Sequence, residues 1–118
     1  MRVVIAGSRT VDDFTLVCKA IEGSGFEITE LVSGTAKGAD SLGEWWAGIN
    51  SVPIKKFPAN WDKYGKAAGP IRNAEMADYA DAAIVVVKDK STGAMNMIKQ
   101  MAERDKPHYA VYIGERPE

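Results

Sequence analysis

The chain contains 118 residues, 46% of them hydrophobic and 26% charged, and its formal net charge at pH 7 is −1. This length favours one domain, and this composition is typical of a folded protein with a buried core rather than of a disordered one. The nearly balanced charge argues against binding of nucleic acid over the whole surface, because proteins of that class carry a marked positive excess.

Several further classes of site are excluded by residues that the sequence lacks. Cys18 and His108 are each the single residue of their type, which excludes an intramolecular disulfide and a thiolate zinc site. No D-x-D-x-D-G calcium loop is present, so we expect neither a metal nor a cofactor. No apolar run reaches the ~18 residues of a membrane span, and we find no signal-peptide pattern. We therefore expect a cytoplasmic protein that makes no contact with membranes.

Five short apolar segments predict β-strands at residues 2–6, 28–33, 53–57, 82–87 and 108–113. The runs VVIA and AAIVVV are almost continuously apolar, which is typical of strands whose two faces are both covered by helices. Four helical patterns lie between the strands. The first begins at the capping-box-like segment 10–13, and the third begins at Gly69-Pro70, where proline is well tolerated. The second carries Trp45 and Trp46, which we assign to the core or to a subunit contact.

This alternation of strands and helices predicts a single-domain α/β fold at residues 1–113, a Rossmann-like three-layer sandwich, followed by a C-terminal tail at 114–118. With right-handed crossovers, the five parallel strands are expected in the order 3-2-1-4-5. The direction of winding reverses between strands 1 and 4, and ligands of such sheets bind outside the carboxyl ends of the strands at this point. The loops after the strands therefore form the predicted site.

The loop after strand 1 carries Gly7, Ser8 and Arg9 ahead of a helix. Gly7 allows the backbone to approach a ligand closely, and the two side chains offer a hydroxyl and a guanidinium. An ordinary turn with Thr10 as the helix N-cap explains the same residues equally well. The segment is also not the G-x-G-x-x-G fingerprint of dinucleotide-binding proteins.

The loop after strand 2 places Gly34 and Gly38 around Lys37 at the start of the next helix. It resembles a phosphate-cradling loop, although it lacks the G-K-[ST] ending of a P-loop. The density of small residues favours ligand binding. The alternative is a tight turn in which Asp40 stabilises the N-terminus of the helix.

A long connection follows strand 3 and extends from residue 57 to residue 73. Loops of this length are uncommon in compact domains and are often functional. Trp61 and Tyr64 would stack on a nucleobase, beside lysines and Arg72 that would pair with its phosphates. The alternative is that both aromatic residues only attach the loop to the domain. Arg72 and Asn73 are expected in the first turn of the third helix, directed at the crevice.

The segment STGAMNM follows strand 4 and contributes Ser91, Thr92, Gly93 and Asn96. Its first helical turn contains no carboxylate, so the free backbone N–H groups of the helix start would suit an external anion. The same absence removes the obvious general acid or base from this loop.

These motifs together resemble the SLOG superfamily, in particular its YspA-like branch. The resemblance rests on G-S-R, on S-G-x-A-x-G-A-D, on W-D-x-Y-G-K-A-A-G-P-x-R-N-x-E-M and on S-T-G-x-x-N-M, and it covers nearly the whole chain. It implies a Rossmann-like domain of bacterial or phage origin that binds a nucleotide-derived ligand. The superfamily includes the lonely-guy phosphoribohydrolases, which cleave the base from nucleoside monophosphates, and domains that sense nucleotide or ADP-ribose derivatives.

The similarity to the lonely-guy enzymes is partial at the residues that would carry catalysis. Arg72 matches the arginine that faces the phosphate in those enzymes, but Met97 occupies the position of their catalytic glutamate. Methionine can neither stabilise an oxocarbenium-like centre nor activate water. The resemblance thus implies binding of a nucleotide rather than its cleavage. An enzyme would need another carboxylate, with Glu75 as the first candidate and Asp40 as the second.

We therefore expect a binding domain for a nucleotide, ADP-ribose or an NAD-like ligand. One alternative is a nucleoside-monophosphate N-glycosidase that uses Glu75 as its catalytic residue. The other is a non-catalytic interaction module that forms a homodimer through the helix of Trp45, Trp46 and Ile49, and the net charge argues against nucleic acid as a partner. The predicted ligand contacts come from four loops and are Gly7, Ser8, Arg9, Gly34, Lys37, Gly38, Asp40, Trp61, Tyr64, Arg72, Asn73, Ser91, Thr92, Gly93 and Asn96.

Overall fold

The computed structural model describes residues 1–89 and 91–114, and five of its segments form a single parallel sheet. Within it the strands lie in the order β3-β2-β1-β4-β5, and every neighbouring pair is parallel, so the predicted strand order is confirmed. The expected C-terminal tail falls outside the described residues from position 115 onward. The strands are β1 (Arg2–Gly7), β2 (Glu30–Ser33), β3 (Ile54–Lys56), β4 (Ala82–Lys88) and β5 (His108–Ile113).

Helices cover both faces of the sheet. One core cluster joins alternate residues of the central strands, such as Val3 and Ile84, to the first two helices, and the other joins the intervening residues, such as Val4 and Val85, to the last two. The expected three-layer sandwich is therefore confirmed, and burial on both faces explains why the central strands are continuously apolar. The helices are α1 (Phe14–Ser24), α2 (Ala39–Ile49), α3 (Trp61–Tyr64), α4 (Ala68–Tyr79) and α5 (Thr92–Glu103), with a 3₁₀ turn at Gly65–Ala67.

The start of α1 lies later than the capping-box-like segment suggested. Asp13 is the N-cap, and its carboxylate accepts a hydrogen bond from the backbone N–H of Leu16 at 3.2 Å. Thr10 lies three residues before this cap, so the alternative in which Thr10 caps the helix is wrong. The helix ends at Gly25, whose φ of +69° lies in the left-handed region that glycine adopts without strain.

The long connection after β3 is partly helical, contrary to the expectation of an extended loop. Asn60 caps α3 by accepting a hydrogen bond at 3.1 Å from a backbone N–H three residues later, and the 3₁₀ turn then leads directly into α4. Helix α4 begins at Ala68, one residue before the expected start. Arg72 and Asn73 therefore lie in its second turn rather than in its first. None of the helices within residues 1–89 and 91–114 is long and apolar enough to cross a membrane.

Candidate functional site

A cavity of about 800 Å³ lies at the carboxyl ends of β1 and β4, where the winding of the sheet reverses. Its wall is formed by the turn after β1, the start of α2, the helices of the long connection and the start of α5. Most of the predicted contact residues line it. They are Gly7, Ser8, Arg9, Asp40, Trp61, Arg72, Asn73, Ser91, Thr92, Gly93 and Asn96.

The turn after β1 forms the centre of the wall and approaches β4 closely. A Cβ atom on Gly7 would lie 2.1 Å from the backbone oxygen of Val86, so only glycine fits there. The backbone N–H of Ser8 donates to the same oxygen at 3.0 Å. The Ser8 hydroxyl accepts a hydrogen bond from the N–H of Lys88 at 2.8 Å and donates to the Lys88 carbonyl at 3.2 Å. The ends of the two central strands are thus tied together at the cavity.

The start of α5 forms the wall on the β4 side. Ser91 is the N-cap, and its hydroxyl accepts a hydrogen bond from the backbone N–H of Ala94 at 3.3 Å. The first turn contains no acidic residue, so the positive end of the helix dipole is not neutralised by its own side chains. Asn73 of α4 donates to the Gly93 carbonyl at 3.3 Å and to the Asn96 side chain at 3.1 Å. These two bonds fix the start of α5 against α4.

Arg72 crosses the wall between α4 and the loop after β2. Its Nη1 donates to the Gly34 carbonyl at 2.5 Å, and its Nε donates to Oδ1 of Asn73 at 3.1 Å. A Cβ atom on Gly34 would lie 2.6 Å from Nη1 of Arg72 and 2.8 Å from Oδ2 of Asp40, so the glycine makes room for both side chains. Burial lowers the pKa of the Arg72 guanidinium, and the Asp40 charge opposes this shift.

Asp40 is the second residue of α2 and is only 4% exposed. Its Oδ2 accepts a hydrogen bond from the backbone N–H of Ala36 at 3.1 Å. Burial raises the pKa of this carboxyl from 3.8 to about 6, and Glu44 on the same helix adds to the rise. The Ala36 bond and the positive charges of Arg72 and Arg9 lower it by less. The cavity wall thus contains a carboxyl that titrates close to neutral pH, which is a property common in functional sites.

The charges that line the cavity are strongly unbalanced. Among the described residues of the wall, Asp40 is the single carboxylate, and it is opposed by four cationic side chains. Three of the four had been indicated by the sequence, two as ligand contacts and Lys66 as one of the lysines of the long connection. The cations are Arg9, Lys66, Arg72 and Lys88.

Trp61 lies at the rim of the cavity and is 47% exposed. The Arg9 guanidinium carbon is 5.6 Å from the centroid of its ring, within the range of a cation–π contact. Tyr64, which we also expected to stack on a ligand, is 40% exposed and has Lys63 5.1 Å from its ring centroid. It does not line this cavity, so only one of the two aromatic residues expected to stack on a ligand lies on the wall.

Three predicted contacts in the loop after β2 lie beside the main cavity rather than on its wall. They are Gly34, Lys37 and Gly38. Gly34 and Lys37 line a neighbouring cavity of about 300 Å³, which shares Arg9 and Arg72 with the main one. Gly38 has a φ of +78°, and a Cβ atom there would lie 2.3 Å from the Ser8 carbonyl. Its role is therefore to let the start of α2 pack on the turn after β1.

Glu75, the first catalytic candidate, is exposed and lines none of the cavities described above. The cavity is contacted by the face of α4 that carries Arg72, Asn73 and Met76. At about 100° per residue, position 75 points roughly 110° away from the centre of that face. The expectation that one helical turn would bring Glu75 to the crevice is therefore not met by the geometry.

Lys88 lines the cavity but was not among the predicted contacts. Lys66 also lines it and is one of the lysines of the long connection that were expected to pair with phosphates. Lys88 ends β4, and its Nζ donates to the Thr10 carbonyl at 3.2 Å. Its place directly after the apolar run of a switch-point strand was a signal that could have indicated it. Lys66 lies in the 3₁₀ turn, and its position depends on helical structure that the loop sequence did not indicate.

The tryptophans of α2 have different environments. Trp46 is partly buried against the core, as expected if it is a core residue rather than a subunit contact. Trp45 and Ile49 are 57% and 60% exposed, and the Trp45 ring lies 4.3 Å from that of Phe14 between centroids. A subunit contact at this surface stays a prediction. Among residues 1–89 and 91–114, no group of three His, Cys, Asp or Glu side chains is placed to hold a metal ion.

A doubly wound parallel sheet with a ligand-sized cavity at its switch point defines a Rossmann-like domain. A family model described as the YspA, cpYpsA-related SLOG family matches residues 1–64, which is more than half of the chain. The chain belongs to this SLOG family, as the motifs in its loops implied.

Two individual proteins are similar to the chain over most of its length. The Gene 61 protein of Mycobacterium phage D29 is 31% identical over an alignment of 127 positions, gaps included. The alignment covers 98% of this chain and 98% of the phage protein. The X-ray structure of DNA processing protein A (DprA) from Streptococcus pneumoniae superimposes with a TM-score of 0.73 at 23% identity. That match covers 92% of this chain but 49% of DprA, so the chain spans about half of the DprA length and shares its fold.

Proposed function

We propose that the cavity binds a phosphorylated ligand derived from a nucleotide, such as a mononucleotide, ADP-ribose or an NAD-like molecule. The observation that carries this proposal is the charge of the wall, where four cations oppose one carboxylate although the whole chain has a net charge of −1. Positive charge is concentrated at this site, and a cavity lined in this way favours an anion. Its volume of about 800 Å³ is within the range usual for small-molecule sites.

The parts of such a ligand have matching groups in the wall. Phosphate oxygens would accept hydrogen bonds from Arg9 and Lys88 and from the backbone N–H groups in the first turn of α5. Trp61 at the rim offers a ring on which a nucleobase can stack, an interaction that contributes roughly 1–3 kcal/mol in comparable sites. In this proposal the phosphate lies toward the sheet and the base toward solvent.

Isothermal titration calorimetry with AMP, ADP-ribose and NAD tests the proposal. We expect at least one of these ligands to bind, and Arg9→Ala to weaken its affinity by about tenfold or more, because a charge-assisted contact to phosphate is lost. The Arg9 guanidinium makes no hydrogen bond to the described residues, so the variant should fold normally. Lys99→Ala is the matched control, because it removes an exposed cation from the surface of α5 outside the cavity.

Two results would contradict the proposal. One is the absence of binding heat for all three ligands at millimolar concentration. The other is binding of a single-stranded oligonucleotide with an affinity that Arg9→Ala leaves unchanged. The oligonucleotide is tested because the protein of similar structure is a DNA processing protein. Either result would move the function away from a small ligand in this cavity.

Hydrolysis of an N-glycosidic bond is the second candidate function, and the position of Asp40 favours it. A carboxyl with a pKa of about 6 at the cavity wall suits a general acid or base, whereas Glu75 does not line the cavity. Incubation with AMP or NAD, followed by chromatography for the released base, separates hydrolysis from binding alone. Unchanged substrate in the presence of measured binding would leave only the binding function.

A further inference from the structure

The carboxylate of Asp40 has one oxygen that is not used by the protein. Oδ2 is occupied by the backbone N–H of Ala36 at 3.1 Å. Oδ1 accepts no hydrogen bond from any of the described residues, although the side chain is buried and lines the cavity. Among the described residues, every fully buried side-chain nitrogen and oxygen has a hydrogen-bond partner, so the unpartnered Oδ1 is accessible to solvent. Since Asp40 lines the cavity, this acceptor is open to a donor from a ligand.

The neighbouring charges do not supply that partner. Arg72 on α4 directs Nη1 to the Gly34 carbonyl and Nε to Asn73, and no ion pair joins it to Asp40 among the residues that the structure describes. Arg9 on the turn after β1 lowers the pKa of Asp40 through its charge and donates no hydrogen bond to it among the described residues. Glu44 on α2 is engaged with the Ser33 hydroxyl at 2.6 Å. The carboxylate is therefore held in place without being neutralised by contact.

The position of Asp40 in the sheet also separates it from the proposed phosphate site. Asp40 follows β2, whereas the start of α5 follows β4, and β1 lies between these two strands. Neighbouring strands lie about 4.8 Å apart, so the two ends of the cavity are separated by roughly 10 Å. A carboxylate repels phosphate, and it therefore fits the uncharged, hydroxyl-bearing part of a nucleotide.

We propose that Asp40 accepts a hydrogen bond from the ribose hydroxyls of the ligand and so selects ligands with a free cis-diol over 2′,3′-dideoxy analogues. This assignment rests on the proposed function and names a specificity-determining residue for it. The free Oδ1 would accept from a hydroxyl while the Ala36 bond keeps the carboxylate in position. A sugar without hydroxyls would leave the acceptor unpaired in the complex, which is the basis of strong discrimination in polar sites.

The test compares the affinities of AMP, 2′,3′-dideoxy-AMP and inorganic pyrophosphate by calorimetry at pH 7.5. We expect the protein to prefer AMP over the dideoxy analogue by about tenfold or more, because a hydrogen bond to a charged acceptor is lost. Asp40→Asn keeps the size of the side chain and an acceptor for Ala36 but removes the charge. We expect it to reduce the preference to about threefold or less and to strengthen pyrophosphate binding by a few fold.

The matched control is Glu44→Gln, which removes a carboxylate from the same helix without altering the described wall of the cavity. It should leave the preference for AMP unchanged. Equal affinity of the unaltered protein for AMP and its dideoxy analogue would overturn the role of Asp40 while leaving nucleotide binding intact. A loss of AMP and pyrophosphate binding together in Asp40→Asn would also overturn it, since this indicates a structural role. Absence of binding for all three probes would remove the proposed function as well.

Discussion

The starts of α2 and α5 both lie at the carboxyl edge of the sheet, but they differ in charge and in capping. Helix α5 has Ser91 as a side-chain cap and no acidic residue in its first turn. Helix α2 has Gly38 in the N-cap position, no side-chain cap and the buried Asp40 in its first turn. One helix start is therefore left positive, and the other is compensated by its own carboxylate.

Because of this difference, the two ends of the cavity are not equivalent. The α5 end suits an anionic group, and the α2 end suits a hydrogen-bond donor. A ligand with a phosphate and a sugar would match both ends in only one orientation. The glycines show a second contrast, because Gly38 is packed against backbone whereas a Cβ atom on Gly93 would meet no atom within 4 Å.

The largest expected effect comes from Gly38→Ala, which breaks the start of α2. The residue has a φ of +78°, and a Cβ atom would lie 2.3 Å from the Ser8 carbonyl and 2.6 Å from the Arg9 carbonyl. Alanine is strained at this φ, and its Cβ atom would clash with backbone atoms that cannot move aside easily. We therefore expect the free energy of unfolding to fall by roughly 3 kcal/mol. Urea denaturation measures this. A decrease below about 1 kcal/mol would show that the packing of α2 on the β1 turn is not required.

The second largest effect is expected from Asp40→Asn, which should change how the free energy of unfolding depends on pH. Because the pKa of Asp40 is raised from 3.8 to about 6, the folded state holds the proton more tightly than the unfolded state. The favourable contribution of the protonated carboxyl is fully present below about pH 4 and is lost as the pH rises through about 6. Asp40→Asn should therefore be more stable than the unaltered protein at pH 8, by about 2 kcal/mol.

The same comparison at pH 4 sharpens this prediction. There the carboxyl is protonated in the folded state but still partly ionised in the unfolded state, so the advantage of Asp40→Asn should shrink to less than about 1 kcal/mol. Urea denaturation at pH 4, 6 and 8 gives the three values. A constant difference across this range would mean that packing, and not the charge of Asp40, determines the stability of the start of α2.

The smallest expected change in stability comes from Gly93→Ala, the equivalent substitution at the start of α5. Since the added methyl group meets open space and alanine favours helices, we expect the free energy of unfolding to stay within about 1 kcal/mol of its original value. Affinity for AMP should fall by about tenfold, because the methyl group obstructs the approach of a phosphate to the helix start. Calorimetry and thermal melting of the same sample separate the two effects. Unchanged affinity would place the phosphate elsewhere.

Most of the fold could be predicted from the sequence because its signals are local. The nearly uninterrupted apolar runs of β1 and β4 indicate strands that are buried on both sides, and the alternation with helices then leaves few topologies. The segment Trp61–Tyr64 was missed as a helix because four residues are too short to show a helical period. Its Asn60 cap was the signal available. The turn of α4 in which Arg72 lies differs from the expected one because that helix begins at Ala68.

The site was predictable where a residue follows a strand directly, as Ser8 and Arg9 do, or lies at the start of the helix after a strand, as Gly93 does. It was not predictable where the direction of a side chain on a helix decides, as for Glu75. For Asp40 the place in the site was predicted, but its burial was not. The sequence indicated Asp40 as a ligand contact, with a helix-stabilising carboxylate or a second catalytic candidate as alternatives. Its burial and its unused oxygen depend on segments distant in the chain, which only the folded structure brings together.

The hydrogen bonds between the Ser8 hydroxyl and the Lys88 peptide group bear on the energetics of association. They give the cavity a rigid central wall, because the ends of β1 and β4 are joined by bonds within the protein itself. A preorganised wall loses little conformational entropy when a ligand binds, so more of the contact energy remains as affinity. If the proposed ligand binds, this wall would let a small molecule with few contacts reach a useful affinity in a chain of only 118 residues.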